Sequence, residues 1–206
     1  MKLNISKKLF LGYIAMAFLT IISSLYAVVN LRSINSYTNR IIHGNVVVIE
    51  NSKLLIDNLI DRESALKKFI ILKDKSFADL FRSKSTEFRQ KLDELKYKQG
   101  TMVRRSIDQI VSLNKEYEDI FTQNEEAFAK KGKGTLHKEE VQMKSRILVG
   151  NIASEIHKIE KLSQGDIDQQ MASINTLSQH TLNVTLALSL FSLVVGIGLA
   201  MFLTYN

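Results

Sequence analysis

The chain has 206 residues, 45% of them hydrophobic, and a formal charge of +7. It holds no proline, no cysteine and only nine glycines, which excludes disulfide scaffolds and cysteine-based chemistry and favours long helices. Its basic residues are interleaved with acids, as on solvated helix faces, so nucleic acid is not an expected partner.

Two uncharged stretches organise the rest. Leu9 to Val29 runs 21 residues, and Val184 to Leu203 runs 20. At ~1.5 Å per residue each covers the ~30 Å apolar core of a bilayer. Lys2, Lys7 and Lys8 precede the first stretch with no acid among the first eight residues, which keeps the N-terminus cytoplasmic. A cleaved signal peptide is the competing reading. Its apolar region runs only ~7–15 residues and ends at a small-residue site, which LYAVVNLRSIN does not supply. The expected layout is a cytoplasmic segment 1–8, a transmembrane helix 9–29, an extracytoplasmic domain 30–183, a second transmembrane helix 184–204, and a cytoplasmic start at 205–206.

Within the domain, apolar residues recur at alternating spacings of three and four. Leu31, Ile34, Ile41, Val48, Leu55, Leu59, Leu66 and Phe69 share one heptad seam, with Thr38, Asn45, Ser52 and Arg62 at its other positions. This predicts a helix over 30–72 that continues out of the membrane. Lys73-Asp74-Lys75-Ser76 stops it, and Asp74 or Ser76 can cap the next helix, at about 77–99. That helix carries Phe77, Leu80, Phe81, Phe88, Leu92 and Leu95. A break at Gly100 starts a third helix, about 101–130, with Val103, Ile107, Ile110, Leu113, Tyr117, Ile120, Phe121 and Phe128. The run Lys131-Gly132-Lys133-Gly134-Thr135 is a loop. The fourth helix, about 136–183, uses Ile147, Leu148, Ile152, Ile156, Ile159, Ile167, Met171, Ile174 and Leu177.

The fold class is therefore all-α, with two transmembrane helices continuous with an extracytoplasmic antiparallel four-helix bundle. An even number of helices is needed to return the chain to the membrane. The outer two reach ~66 and ~72 Å and the inner two only ~35 and ~45 Å, which leaves a two-helix stalk beneath the bundle. Pairing of two stalks would cover apolar residues that a monomer exposes, so the expected partners include a second copy as well as the lipid bilayer.

The run from Phe69 to Phe77, FIILKDKSF, resembles the helix-ending signature of CHASE3 and related four-helix-bundle sensor domains. Leu72 stands where threonine is usual there, and Lys73 where glycine would take a left-handed cap. The opening KKLFLGYIAMAFLTIISSLYAVVNLRSIN resembles the first span of bacterial sensor histidine kinases and chemoreceptors. The resemblance implies a two-pass protein of the bacterial inner membrane whose cytoplasmic HAMP linker and output domain follow the second span. It implies a protein histidine kinase as parent, with a methyl-accepting chemotaxis receptor as the alternative. A structural membrane-anchored helical protein is the reading from another class.

No catalytic, cofactor or metal motif is recognisable. His43, His137, His157 and His180 all lack the His-Glu-x-x-x-Pro setting of a phospho-accepting histidine, and Gly132 and Gly134 lack the strand and helix of a phosphate cradle. This chain is not expected to be an enzyme. Two polar groups stand out instead. Counting from the membrane exits places His157 level with Asp57 and Asp61, which share a face at i and i+4, with Arg62 beside them. Arg104 and Arg105 could lie close by. This is a candidate pocket for an unknown extracytoplasmic ligand or protein, or a protonation switch, set against a solvated salt-bridge cluster. Arg62, at a seam position, must be paired or it costs stability. Thr38, Asn45 and Ser52 form a polar stripe on the stalk seam, with Gly44 and Gly165 at similar height, and are a candidate signalling stalk.

Overall fold

The computed structural model describes residues 5–96, 101–131 and 138–205. All of these are helical except the turn at Lys73 and Asp74, and no strand occurs among them. The order is α1 (Ile5–Arg40), a π-helical turn (Ile41–Val46), α2 (Val47–Leu72), α3 (Lys75–Lys96), α4 (Thr101–Lys131) and α5 (Lys138–Tyr205). The expected break at Gly100 and the loop residues 132–135 lie outside the described residues.

The chain divides into two compact units, one of residues 41–167 and one of the two chain ends, Met1–Arg40 with Asp168–Asn206. The larger unit is a bundle of α2, α3, α4 and the first part of α5. Cross-contacts fix its directions. Asn58 meets Glu87, Asp61 meets Lys84 and Lys68 lies over Phe77, each pair equidistant from the same turn, so α2 and α3 are antiparallel. Arg82 with Glu125 and Arg89 with Glu118 run α3 against α4 in the same way. Phe69 of α2 meets Phe121 and Phe128 of α4 in tilted and edge-to-face contacts, at 5.7 and 5.9 Å between centroids. Val48, Leu55, Leu59, Leu66, Phe81, Phe88, Ile107, Ile110, Ile152 and Ile156 are among the other core residues.

Where two apolar residues are adjacent, only one can face inward, because neighbours on a helix are about 100° apart. Phe81 and Leu148 take the core positions, and Leu80 and Ile147 are left exposed. The turn after α2 is capped as its residues require. Asp74 Oδ1 accepts from the Ser76 N–H at 2.9 Å, which holds that carboxyl below the usual carboxylate range. Lys73 adopts φ 57° and ψ 29°, and its N–H donates to the Phe69 carbonyl at 2.9 Å. It is a lysine in the left-handed region, where a side chain costs ~1–2 kcal/mol. Lys73→Gly is therefore expected to stabilise the chain by up to about 1 kcal/mol after glycine's greater chain entropy is subtracted. In a melt followed by circular dichroism, that is a midpoint rise of about 2–4 °C.

The continuous helix expected over 30–72 is interrupted at Ile41–Val46, where the hydrogen bonding widens to a π turn. A π turn stores one residue more than the α-helix needs. Gly44 sits inside it with open space where a Cβ would stand.

The unit of chain ends pairs α1 with the later part of α5. Each of these helices is long and apolar enough to cross a membrane. Their outer side chains are exposed in the manner of a lipid-facing surface, among them Phe10, Tyr13, Phe18, Leu190, Phe191 and Val194. Leu31 and Met171, expected on the apolar seams, are also exposed. The pair approaches closely at Gly196, where a Cβ would stand 3.0 Å from Met16 Cε. Ser192 Oγ donates to Met16 Sδ at 3.6 Å, and Tyr26 and His180 share a hydrogen bond of 2.9 Å.

Candidate functional site

The most unusual residue in the bundle is Arg62. Its side chain projects from α2 into the core and is 0% exposed. Three rings surround its guanidinium carbon, Phe81 at 5.1 Å, Phe88 at 4.9 Å and Tyr117 at 5.0 Å from their centroids. Phe81 and Phe88 are one heptad apart on α3, so both face the arginine, while Tyr117 comes from α4. Nη1 donates to Asn114 Oδ1 at 2.7 Å, and Nη2 lies 3.5 Å from Glu118 Oε1. Asn114 in turn donates to Glu118 Oε1 at 3.0 Å, and Arg89 reaches Glu118 Oε2 at 3.3 Å.

Burial pulls the guanidinium from 12.5 down to about 10, against the opposing pull of Tyr117 and Glu118. Burial also pushes the Tyr117 hydroxyl up. Arg62 thus stays charged at neutral pH. A base whose affinity falls on folding is relieved of its penalty only as pH rises through that lowered value. Arg62 therefore adds no pH dependence to stability between about pH 5 and 9. Nε and Nη2 have no hydrogen-bond acceptor among the described residues, and neither has the Tyr117 hydroxyl. The group is a cation held mainly by aromatic faces and one amide, tying α2, α3 and α4 in a single register.

Among the described residues, the four expected as one polar cluster are each given other partners or an exposed face. Asp57 and Asp61 are exposed, and Asp61 lies 3.8 Å from Lys84 on α3. Lys84 in turn has its proton affinity raised, chiefly by its hydrogen bond to Glu87. His157 is exposed on α5 and meets Glu160 of its own helix at 3.2 Å. Arg104 and Arg105 are exposed as well. Counting along the chain sets heights but not faces: Arg62 is one residue from Asp61, about 100° round the helix, and points inward. Its partner Asn114 was detectable. Val103, Ile107, Ile110, Asn114, Tyr117 and Phe121 form a strict seam, and an amide on it is the natural match for an arginine on another.

The stalk residues divide similarly. Thr38 donates to the Ile34 carbonyl of its own helix at 3.0 Å. Ser52 is buried, and its hydroxyl has no partner among the described residues. Asn45, buried in the π turn, donates to Asp166 Oδ2 on α5 at 2.7 Å. Asp166 and the Tyr26–His180 pair carry no local signal in the sequence; only the folded chain brings them to their partners.

A family model described as a four helix bundle sensory module for signal transduction matches residues 2–177. The match is to this broader class and not to the CHASE3 domain in particular. No curated protein and no solved structure matches the chain.

Proposed function

The chain belongs to the four-helix-bundle sensory modules of signal transduction, and on that premise we propose that it is the sensory and transmembrane part of a bacterial two-component histidine kinase. The bundle lies outside the cell, both chain ends lie inside, and a stimulus displaces α5 against α1 and α2. The observation that carries this reading is α5 itself. It is one unbroken helix of 68 residues, which buries Ile152 and Ile156 in the bundle and later exposes the uncharged run from Val184. A helix continuous from a packed core into an apolar run can pass on a displacement of about one to two ångströms. The output is a kinase if a proline-containing HAMP linker and a His-Glu-x-x-x-Pro box follow the second span. A long heptad hairpin there makes it a chemoreceptor.

The working form is a parallel homodimer. Besides its buried seam, α2 with its preceding turn carries further apolar residues: Ile42, Val46 and Ile49, then past Lys53 Ile56 and Ile60, and Ile71 near its end. Ile42, Val46, Ile60 and Ile71 among them are exposed, Ile60 by 56%. Two copies paired along α2 would bury them symmetrically.

The chain's lack of cysteine makes the test clean. With Ile60→Cys in intact cells, mild oxidation is expected to link more than half of the chain as dimer, and Lys158→Cys, on the exposed side of α5, much less. Lys158→Cys should also react with a membrane-impermeant maleimide without lysis. Labelling that requires lysis would refute the external bundle, and equal crosslinking at the two positions would refute the α2 interface.

A further inference from the structure

The π turn at Ile41–Val46 is not explained by packing alone. Regular α-helix flanks it on both sides, in α1 and α2. It contains Gly44, whose missing Cβ would meet nothing within 4 Å, so the glycine is not there to admit a neighbour. It buries an amide, Asn45, where the seam would accept an aliphatic residue, and that amide makes a 2.7 Å hydrogen bond to the carboxylate of Asp166 on α5. Each feature weakens the regular helix at one place. Glycine lowers the cost of irregular backbone, the wide turn has poorer hydrogen bonds, and the buried amide is content only where it reaches Asp166.

We propose that Ile41–Val46 is a register joint: one surplus residue, stored as a π turn and held by the Asn45–Asp166 hydrogen bond, that can be released into regular α-helix. Releasing one residue turns whatever precedes Ile41 by about 100° relative to α2 and advances it by ~1.5 Å. The joint thus converts the making or breaking of one contact between α5 and the turn into a rotation and a shift of the helix that enters the membrane. The use of that movement as a signal rests on the sensory reading above; the joint itself is a property of the fold.

Hydrogen exchange read by mass spectrometry, on the full chain in lipid nanodiscs, tests it. Amides of residues 42–50 should exchange about tenfold faster than those on both flanks, 34–40 and 53–59, giving a local maximum inside a continuous helix. Asn45→Ala frees the surplus residue into regular helix, so it should lower that maximum about tenfold, toward the flanks, and leave 55–69 unchanged. Deleting Gly44 removes the surplus residue and keeps both flanks in phase. That chain should lose the maximum and keep its melting midpoint within a few degrees, while deletion of Lys53 from regular α2 turns one half of the inner seam away and lowers the midpoint by about 10 °C or more. Three outcomes would each overturn the joint: even protection across 34–59 in the parent, a maximum that survives loss of Gly44, or a Gly44 deletion as damaging as that of Lys53. None of these readings involves an output, so a failed joint and a failed sensory assignment are told apart.

Discussion

Asn114→Leu is expected to destabilise the bundle by about 3–5 kcal/mol, whereas Arg62→Met should be near neutral or stabilising, although arginine is the larger and more connected residue. The difference in sign follows from what each change leaves behind. Without Asn114, Arg62 keeps its charge in the core but loses its 2.7 Å acceptor, and its remaining contacts are the rings and a carboxylate 3.5 Å away. Without Arg62, the core loses a cation whose burial is itself unfavourable. The fall of the guanidinium from 12.5 to about 10 corresponds to ~3 kcal/mol against the charged form. Aromatic contact returns about 2 kcal/mol and the charge-assisted hydrogen bond about 1.5–3 kcal/mol, so the arginine comes close to breaking even. Methionine fills part of the space against Phe81, Phe88 and Tyr117 and brings no charge. Asn114 would still donate to Glu118 at 3.0 Å.

The double variant should recover most of what Asn114→Leu loses, giving a coupling of about 3 kcal/mol. Denaturant unfolding of the four chains, parent included, measures it. Additive losses would show that the rings hold Arg62 unaided and that the amide is incidental. A caged arginine that contributes so little net stability, yet touches three helices, is better suited to fixing how those helices register than to holding them together. In a sensor, register is the quantity that carries information.

How much of this was open to reading from the chain depends on the range of the forces involved. The apolar seams were, because helix periodicity is local: Val48, Leu55, Leu59, Leu66 and Phe69 fall inside as spaced. The left-handed residue after α2 was not legible: Lys73 replaces the glycine of the resembled motif, and a lysine gives no local sign of that conformation. Arg62 was recognisable as a residue in need of a partner. Its actual partner, Asn114, lies 52 residues on and needed a comparison of one seam with another. Asp57 and Asp61 share an exposed face as their spacing requires, but His157 joins them by height alone, and exposed charges at one height on two helices need not share a side. The spacing reads as one continuous helix over 30–72, and the π turn is not visible in it. The amide in that turn bonds to Asp166, more than a hundred residues away, a contact that no local pattern announces. Local pattern fixes which face is apolar; which polar atoms meet across that face is a tertiary outcome.

The membrane reading makes the other large prediction, and here too the sign separates the alternatives. Leu193 lies at the middle of the second uncharged stretch and is 59% exposed. On a water-soluble helix, Leu193→Arg would be a harmless surface change or would improve solubility. In a bilayer it places a guanidinium at the midplane, at a cost of about 3 kcal/mol to insertion of that helix, or roughly a hundredfold in the inserted-to-excluded ratio. Leu182 is just as exposed, at 60%, but precedes the stretch. At that depth an arginine side chain reaches the interface, so Leu182→Arg should cost little. Sidedness of the chain end gives the measurement. With Asn206→Cys, the otherwise unchanged chain should resist an impermeant maleimide in intact cells, the Leu182→Arg chain should resist it nearly as well, and the Leu193→Arg chain should become reactive. If both arginines leave that cysteine protected, the second stretch is not held in the bilayer by its own apolar side chains, and α5 loses the anchorage that its role as a transmitting rod requires.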